Sequence, residues 1–88
     1  MTEPVRLTLL TAEGCHFCAQ ARAVLDRLAD EWPLRVEELP LESAEGAKRA
    51  LRDGVAFPPA LYVDGTLFGY GRISEGKLRR RLGEMPRP

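Results

Sequence analysis

The sequence predicts an α/β fold whose elements follow the order β, α, β, α, β, β, α. Short runs of β-branched and aliphatic residues alternate with segments in which apolar residues recur at helical spacing. The dipeptide Asp64-Gly65, which is typical of two-residue hairpin turns, separates the last two strand segments. The only cysteines, Cys15 and Cys18, stand where the first strand should give way to the first helix.

The first strand and the first helix have the clearest patterns. Val5 to Leu10 is rich in β-branched and aliphatic residues and ends at a turn that contains Gly14. From Cys15 to about Glu31 the spacing predicts a helix, and Pro33 should stop it. The residues expected to face the core are Ala21, Val24, Leu25, Leu28 and Trp32.

The second strand and the second helix have weaker patterns. Leu34, Val36 and Leu39 alternate in a less apolar segment, which predicts a strand near the edge of the sheet. Ser43 is a suitable N-cap for a short helix that Gly54 would close, although Gly46 lies inside it. The residues expected to face inward are Ala47, Ala50 and Leu51.

A hairpin and a last helix complete the predicted fold. Ala60 to Val63 and Thr66 to Phe68 flank the Asp64-Gly65 turn. Ser74 should cap a helix that follows Gly69-Tyr70-Gly71, buries Leu78, Leu82 and Met85, and presents Arg79, Arg80 and Arg81 largely to solvent. We expect a four-stranded mixed sheet with helices on both faces.

Length and composition exclude several classes of protein. With 88 residues the chain has room for one hydrophobic core, so we expect a single domain over residues 1–88. Its 13 basic and 13 acidic residues offer no general attraction for nucleic acid or a membrane surface. We therefore expect neither partner, and we expect a monomer.

The chain's beginning and its cysteine content predict a cytoplasmic location. The opening Met-Thr-Glu-Pro lacks the basic start and apolar stretch of a secretory signal. No apolar run approaches the roughly 20 residues that span a bilayer. In the cytosol a lone cysteine pair is more commonly catalytic or metal-binding than a permanent disulfide.

The spacing of Cys15 and Cys18 favours reversible dithiol chemistry. Residues three apart are neighbours on a helix, close enough for their sulfurs to bond. Cys15 at the helix N-terminus would be stabilised as a thiolate and act as the nucleophile. Cys18, one turn deeper, would resolve the mixed disulfide formed at Cys15. The redox-active disulfide would then take the place of a cofactor.

Two other classes of function use the same features. The cysteine pair could hold a metal ion or an iron-sulfur cluster, as in small copper-carrying domains, because thiolates suit soft metals. Those domains run β, α, β, β, α, β, unlike this chain, and two cysteines with one histidine do not complete a four-ligand zinc site. We therefore expect no metal. A redox-inactive interaction domain that retains only the fold is the other alternative.

The chain resembles the glutaredoxin group of the thioredoxin-fold superfamily over nearly its whole length. The resemblance lies in the cysteine motif Cys15-His16-Phe17-Cys18, in Phe57-Pro58-Pro59-Ala60 before the third strand, and in the glycine-rich segment Gly69-Tyr70-Gly71. It implies a thioredoxin-like fold and a thiol–disulfide oxidoreductase that reduces disulfide-containing proteins or glutathione mixed disulfides.

The resemblance also implies where substrate binds. It places a cis peptide bond at Pro59, beside the cysteine pair, although Pro58 directly before it leaves open which proline is cis. A proline there would present neighbouring backbone groups to a substrate chain. The residues that we assign to substrate binding are His16, Phe17, Pro58, Pro59, Gly69 and Tyr70.

The charged residues of a glutathione pocket are replaced in this chain. Many glutaredoxins have a lysine where this chain has Ala12, a polar or basic residue near Val55 and Ala56, and an acidic residue where it has Arg72 or Ile73. Without those charges the carboxylates and amine of glutathione have few fixed partners. Glutathione therefore stays a possible co-substrate, and thioredoxin reductase is the other candidate electron donor.

Two residues inside the cysteine motif have alternative roles. A protonated His16 would favour the Cys15 thiolate and make the oxidised protein a stronger oxidant, whereas a His16 that points into water would do neither. Phe17 is either an exposed docking contact or a partly packed aromatic residue.

Overall fold

The structure contains the predicted elements in the predicted order. A computed structural model of the chain describes residues 3–85, and all positions below refer to that range. The strands and helices are β1 (Val5–Thr11), α1 (His16–Leu28), β2 (Leu34–Pro40), α2 (Ala44–Asp53), β3 (Ala60–Val63), β4 (Thr66–Tyr70) and α3 (Glu75–Glu84). None of these helices is long and apolar enough to cross a membrane.

The four strands form one mixed sheet in the order β2-β1-β3-β4. β1 pairs parallel with β2 and antiparallel with β3, and β3 pairs antiparallel with β4. The predicted hairpin is confirmed, since Asp64 and Gly65 both have positive φ between Val63 and Thr66. The prediction that β2 lies at an edge of the sheet is also confirmed.

The main hydrophobic core lies between the sheet and the helices α1 and α3. Alternate side chains of β1 point to this face, because successive residues of a strand point to opposite faces. The buried residues of the cluster are Val5, Leu7, Leu9, Ala21, Val24, Leu25, Leu28, Leu61, Val63, Ile73, Leu78 and Leu82. Trp32 and Met85 pack against its margin, although α1 ends at Leu28, earlier than predicted. Arg79 lies over the Trp32 ring instead of pointing freely into solvent.

A smaller core on the other face of the sheet is covered by α2. Its buried residues are Leu10, Ala60 and Tyr62, and Ala50 and Val55 pack against them. Helices therefore cover both faces of the sheet, as predicted.

The predicted inward face of α2 is wrong at two of its three positions. Ala47 is exposed and Leu51 is 87% exposed, whereas Gly46 is buried. The face toward the sheet consists of Gly46, Arg49, Ala50 and Asp53, which also follow helical spacing. The contact between Gly46 and the end of β2 decides this rotation, because only a residue without a side chain fits there.

Tyr62 connects the buried β3 to α2. Its hydroxyl donates a hydrogen bond of 2.8 Å to Asp53 Oδ2, and the Arg49 guanidinium lies 5.8 Å from the centre of its ring. Burial, reinforced by the neighbouring Asp53 carboxylate, raises the pKa of Tyr62 to about 12. The folded protein therefore disfavours the tyrosinate.

This shift predicts a loss of stability at alkaline pH. The Tyr62 pKa is about 12 in the folded protein and about 10 in the unfolded chain. Its contribution to the free energy of unfolding is therefore present below pH ~10 and is lost as the pH rises toward 12. Tyr62→Phe should lower the free energy of unfolding by about 1 to 3 kcal/mol at neutral pH. It should also remove the part of the alkaline destabilisation that comes from Tyr62. Urea unfolding from pH 8 to pH 11.5 measures both effects. If the free energy of unfolding fell equally with rising pH in the variant and in the parent protein, the prediction would be contradicted.

Candidate active site

The structure forms a disulfide between Cys15 and Cys18 at the start of α1. Their Cα atoms are 5.2 Å apart, and Cys15 is the N-cap of the helix. Cys15 is half-buried, whereas the Cys18 side chain is completely buried. A substrate can therefore approach Cys15, which also lines a surface cleft, while Cys18 is shielded by the protein.

The helix N-terminus places a backbone hydrogen-bond donor against the Cys15 sulfur. The backbone N–H of Cys18 donates to Cys15 Sγ at 3.2 Å, and the first turn of α1 contains no acidic residue. After reduction, the unpaired N–H groups and the positive end of the helix dipole favour a negative charge at this sulfur. Such an environment favours the thiolate, which is the nucleophilic form of a cysteine.

The cis peptide bond lies between Pro58 and Pro59, which settles the question that the sequence left open. Pro59 is buried directly before β3, and its carbonyl accepts a hydrogen bond of 2.7 Å from the N–H of Gly71. Ala60, the next residue, is paired with Leu10 of β1. Pro59 therefore lies at the end of the sheet where β1 leads into the cysteine loop.

The strand directions bring the predicted site segments to this same end of the sheet. β1, β2 and β4 end there, and β3 begins there. The cysteine motif follows β1, Pro58 and Pro59 precede β3, and Tyr70 ends β4 opposite Ala60. Gly69 lies inside β4, paired with Leu61, so only Gly71 of the predicted glycine-rich turn lies beyond the strand.

Two exposed aromatic residues lie next to the proline segment. Phe57 is 51% exposed and Tyr70 is 40% exposed, and their rings meet edge to face with centroids 5.3 Å apart. Gly71 has φ +79°, and a Cβ there would lie 3.0 Å from the Phe57 ring. We call Phe57 and Tyr70 the aromatic wall. Phe57 was not among the predicted substrate-binding residues, although it directly precedes Pro58 in the sequence.

His16 and Phe17 lie in the first turn of α1. Both are exposed, and their rings are 5.6 Å apart between centroids. Phe17 is 39% exposed, so part of its ring is accessible to a partner and part is packed against the protein. His16 also lines a cleft beside Cys15.

This cleft has a volume of about 560 Å³ and mixed charge. It is lined by residues 11–16 together with Arg22, Pro40 and Glu42. Arg22 donates two hydrogen bonds of 2.9 Å to the Glu38 carboxylate, and these bonds lower the pKa of Glu38. The arginine that lines the cleft is thus already paired with a carboxylate of the protein.

Gln20 makes a contact that sequence analysis did not predict. Its side-chain amide donates to the Ile73 carbonyl at 2.9 Å and accepts from the Ile73 N–H at 3.1 Å. This pair of bonds connects α1 to the segment after β4. Nothing in the local pattern around Gln20 points to a partner 53 residues away.

The described residues contain no ready metal site. Within residues 3–85, no group of three or more His, Cys, Asp or Glu side chains is arranged to hold a metal ion. A metal bound by Cys15 and Cys18 would need additional ligands from elsewhere.

The chain is similar in sequence to a known protein. No protein-family model matches the chain. A probable thioredoxin from Archaeoglobus fulgidus is 31% identical over 81 residues, which cover 92% of this chain and 89% of the relative.

Solved structures show the same fold. A structure described as that of a malarial protein has a TM-score of 0.68 at 15% identity and covers 93% of this chain and 97% of its own. A mutant thioredoxin from Halobacterium salinarum has a TM-score of 0.63 at 24% identity, covering 90% of this chain and 72% of its own. The predicted thioredoxin-like fold is confirmed. Because it is 31% identical to a probable thioredoxin over nearly its whole length, the chain belongs to the thioredoxin family, whose thiol–disulfide oxidoreductases act on disulfide substrates.

Proposed function

We propose that the protein reduces disulfides of other proteins, with Cys15 as the nucleophile and Cys18 as the resolving thiol. The observation that carries this proposal is the unequal exposure of the two cysteines. Cys15 is accessible at the N-terminus of α1, and Cys18 is fully buried one turn later. An attacking thiolate must reach its substrate, whereas a resolving thiolate needs to reach only Cys15.

The reaction consists of two thiol–disulfide exchanges. The Cys15 thiolate attacks one sulfur of the substrate, forms a mixed disulfide and releases the other substrate sulfur as a thiolate. The Cys18 thiolate then attacks Cys15 Sγ, closes the Cys15–Cys18 disulfide and releases the first substrate sulfur. The substrate gains two electrons and the protein loses two. An external dithiol or thiol donor must return them for the next cycle.

The surroundings of Cys15 support a protein substrate more than glutathione. Phe57 and Tyr70 offer exposed apolar surface to the side chains of a substrate segment. In the cleft, Glu13 and Glu42 would repel the two carboxylates of glutathione, and Arg22 is already paired with Glu38. We therefore propose thioredoxin reductase as the electron donor.

The donor can be identified by a coupled assay of insulin reduction. One reaction contains thioredoxin reductase, and the other contains glutathione with glutathione reductase, each with NADPH. We expect turnover at least about tenfold faster with thioredoxin reductase, a factor equivalent to about 1.4 kcal/mol in the barrier. Reactions without the protein give the background rate of each donor system.

Each other outcome has a definite meaning. Faster turnover with glutathione would overturn the proposed donor and place the protein with glutathione-dependent glutaredoxins. No turnover with either donor would overturn the reductase function. Binding of a metal or cluster by the same thiolates would then be tested by metal analysis and by the absorption spectrum of the isolated protein.

A further inference from the structure

Gln20 lies on the cysteine-bearing helix, two residues after Cys18. Its side-chain amide is half-buried and makes both of its hydrogen bonds to the backbone of one residue, Ile73. An amide group carries a donor and an acceptor side by side, so it can satisfy an N–H and a C=O of the same residue. We call this pair of hydrogen bonds the Gln20 clamp.

The clamp holds a segment that also contacts the proline loop, which consists of Pro58 and Pro59. Ile73 is 2% exposed, which fixes one end of this segment in the main core. Two residues earlier, Gly71 donates its N–H to the Pro59 carbonyl at 2.7 Å and lies against the Phe57 ring. A short chain of contacts therefore runs from α1 through Ile73 and Gly71 to Pro59 and the aromatic wall.

An ion pair also links α1 to the start of α3, two residues beyond Ile73. Arg27 of α1 forms an ion pair of 2.8 Å with Glu75 of α3, in which the side chains are 58% and 30% exposed. Exposed ion pairs contribute little to stability and restrict side chains only weakly. Compared with this ion pair, the hydrogen bonds of the Gln20 clamp are less exposed to solvent. Gln20 also lies nearer to the cysteine pair in sequence than Arg27 does.

We propose that Gln20 is a positioning residue, which sets the placement of the Cys15–Cys18 pair relative to Pro59 and the aromatic wall. This inference rests on the proposed reduction of protein disulfides. A protein substrate must contact the proline loop and Cys15 at the same time, so its reaction depends on their relative placement. A small disulfide needs only the Cys15 thiolate. Loss of the clamp should therefore slow the reaction with proteins selectively.

The test compares two substrates in single-turnover reactions of the pre-reduced protein. The probes are insulin and bis(2-hydroxyethyl) disulfide. Oxidation of the cysteine pair is monitored by alkylating the remaining free thiols and measuring the mass of the protein. We expect Gln20→Ala to slow oxidation by insulin about tenfold or more, because small misplacements of reacting groups cost large factors in rate. Oxidation by the small disulfide should stay within about twofold, since the helix N-terminus around Cys15 is unchanged.

Two further variants separate positioning from folding. Gln20→Met keeps the length and packing of the side chain while removing both hydrogen bonds, so it replaces Gln20→Ala if that variant fails to fold. Arg27→Ala removes the partly exposed ion pair between α1 and α3, and we expect it to leave both rates unchanged.

The possible outcomes are distinct. Equal slowing with both substrates, or no slowing with insulin in a folded variant, would overturn the role of Gln20. A parent protein that reacts with the small disulfide but not with insulin would overturn the proposed protein-disulfide reductase function itself.

Discussion

Cys15→Ser is expected to lower insulin reduction by roughly a thousandfold or more, because a serine hydroxyl does not undergo thiol–disulfide exchange. Cys18→Ser should instead permit the first exchange and block the second. The accessible position of Cys15 and the complete burial of Cys18 predict this difference. The parent protein and both variants can be compared in the same coupled assay.

The two cysteine variants act as controls for each other. Incubation with a disulfide substrate should leave Cys18→Ser as a stable mixed disulfide, detectable as an added mass that a reducing agent removes. Cys15→Ser should form much less of this adduct, because the Cys18 sulfur is buried. Stable adducts on Cys15→Ser with none on Cys18→Ser would show that the roles of the two cysteines are reversed.

Gly46→Ala is expected to destabilise the protein, although alanine normally favours a helix. A Cβ at this position would lie 2.1 Å from the Pro40 carbonyl oxygen and 3.1 Å from Leu41 Cα. The same carbonyl accepts hydrogen bonds from the N–H and the hydroxyl of Ser43, at 3.1 and 2.7 Å, so it is held in place. We expect a loss of about 1 to 3 kcal/mol, as in other overpacked sites.

Gly76→Ala is the matched control in another helix. A Cβ at Gly76 of α3 meets no atom within 4 Å, so the substitution should show the ordinary helix preference of alanine. We expect it to be neutral or to stabilise by up to about 1 kcal/mol. Urea unfolding of the oxidised proteins, followed by circular dichroism, measures both changes. If Gly46→Ala were as stable as Gly76→Ala, the close contact with Pro40 would be wrong.

The helix α2 shows where sequence patterns stop being sufficient. Ser43 and Gly54 correctly predicted its two ends, since Ser43 Oγ accepts from the Gly46 N–H and Gly54 adopts a left-handed conformation. The positions of its apolar residues predicted the wrong inward face. Leu51 is exposed because the helix is rotated to bring Gly46 against the end of β2. That contact depends on a neighbouring segment and not on the helix itself.

The sequence by itself determined the order of the elements, the hairpin at Asp64-Gly65 and the position of the cysteine pair at a helix start. These features depend on residues close together in the chain, where periodicity, caps and turn preferences operate. Only the tertiary structure decided which proline is cis, how Phe57 meets Tyr70 and that Gln20 binds Ile73. Such contacts join residues distant in sequence, and their geometry arises when the sheet and its helices pack together.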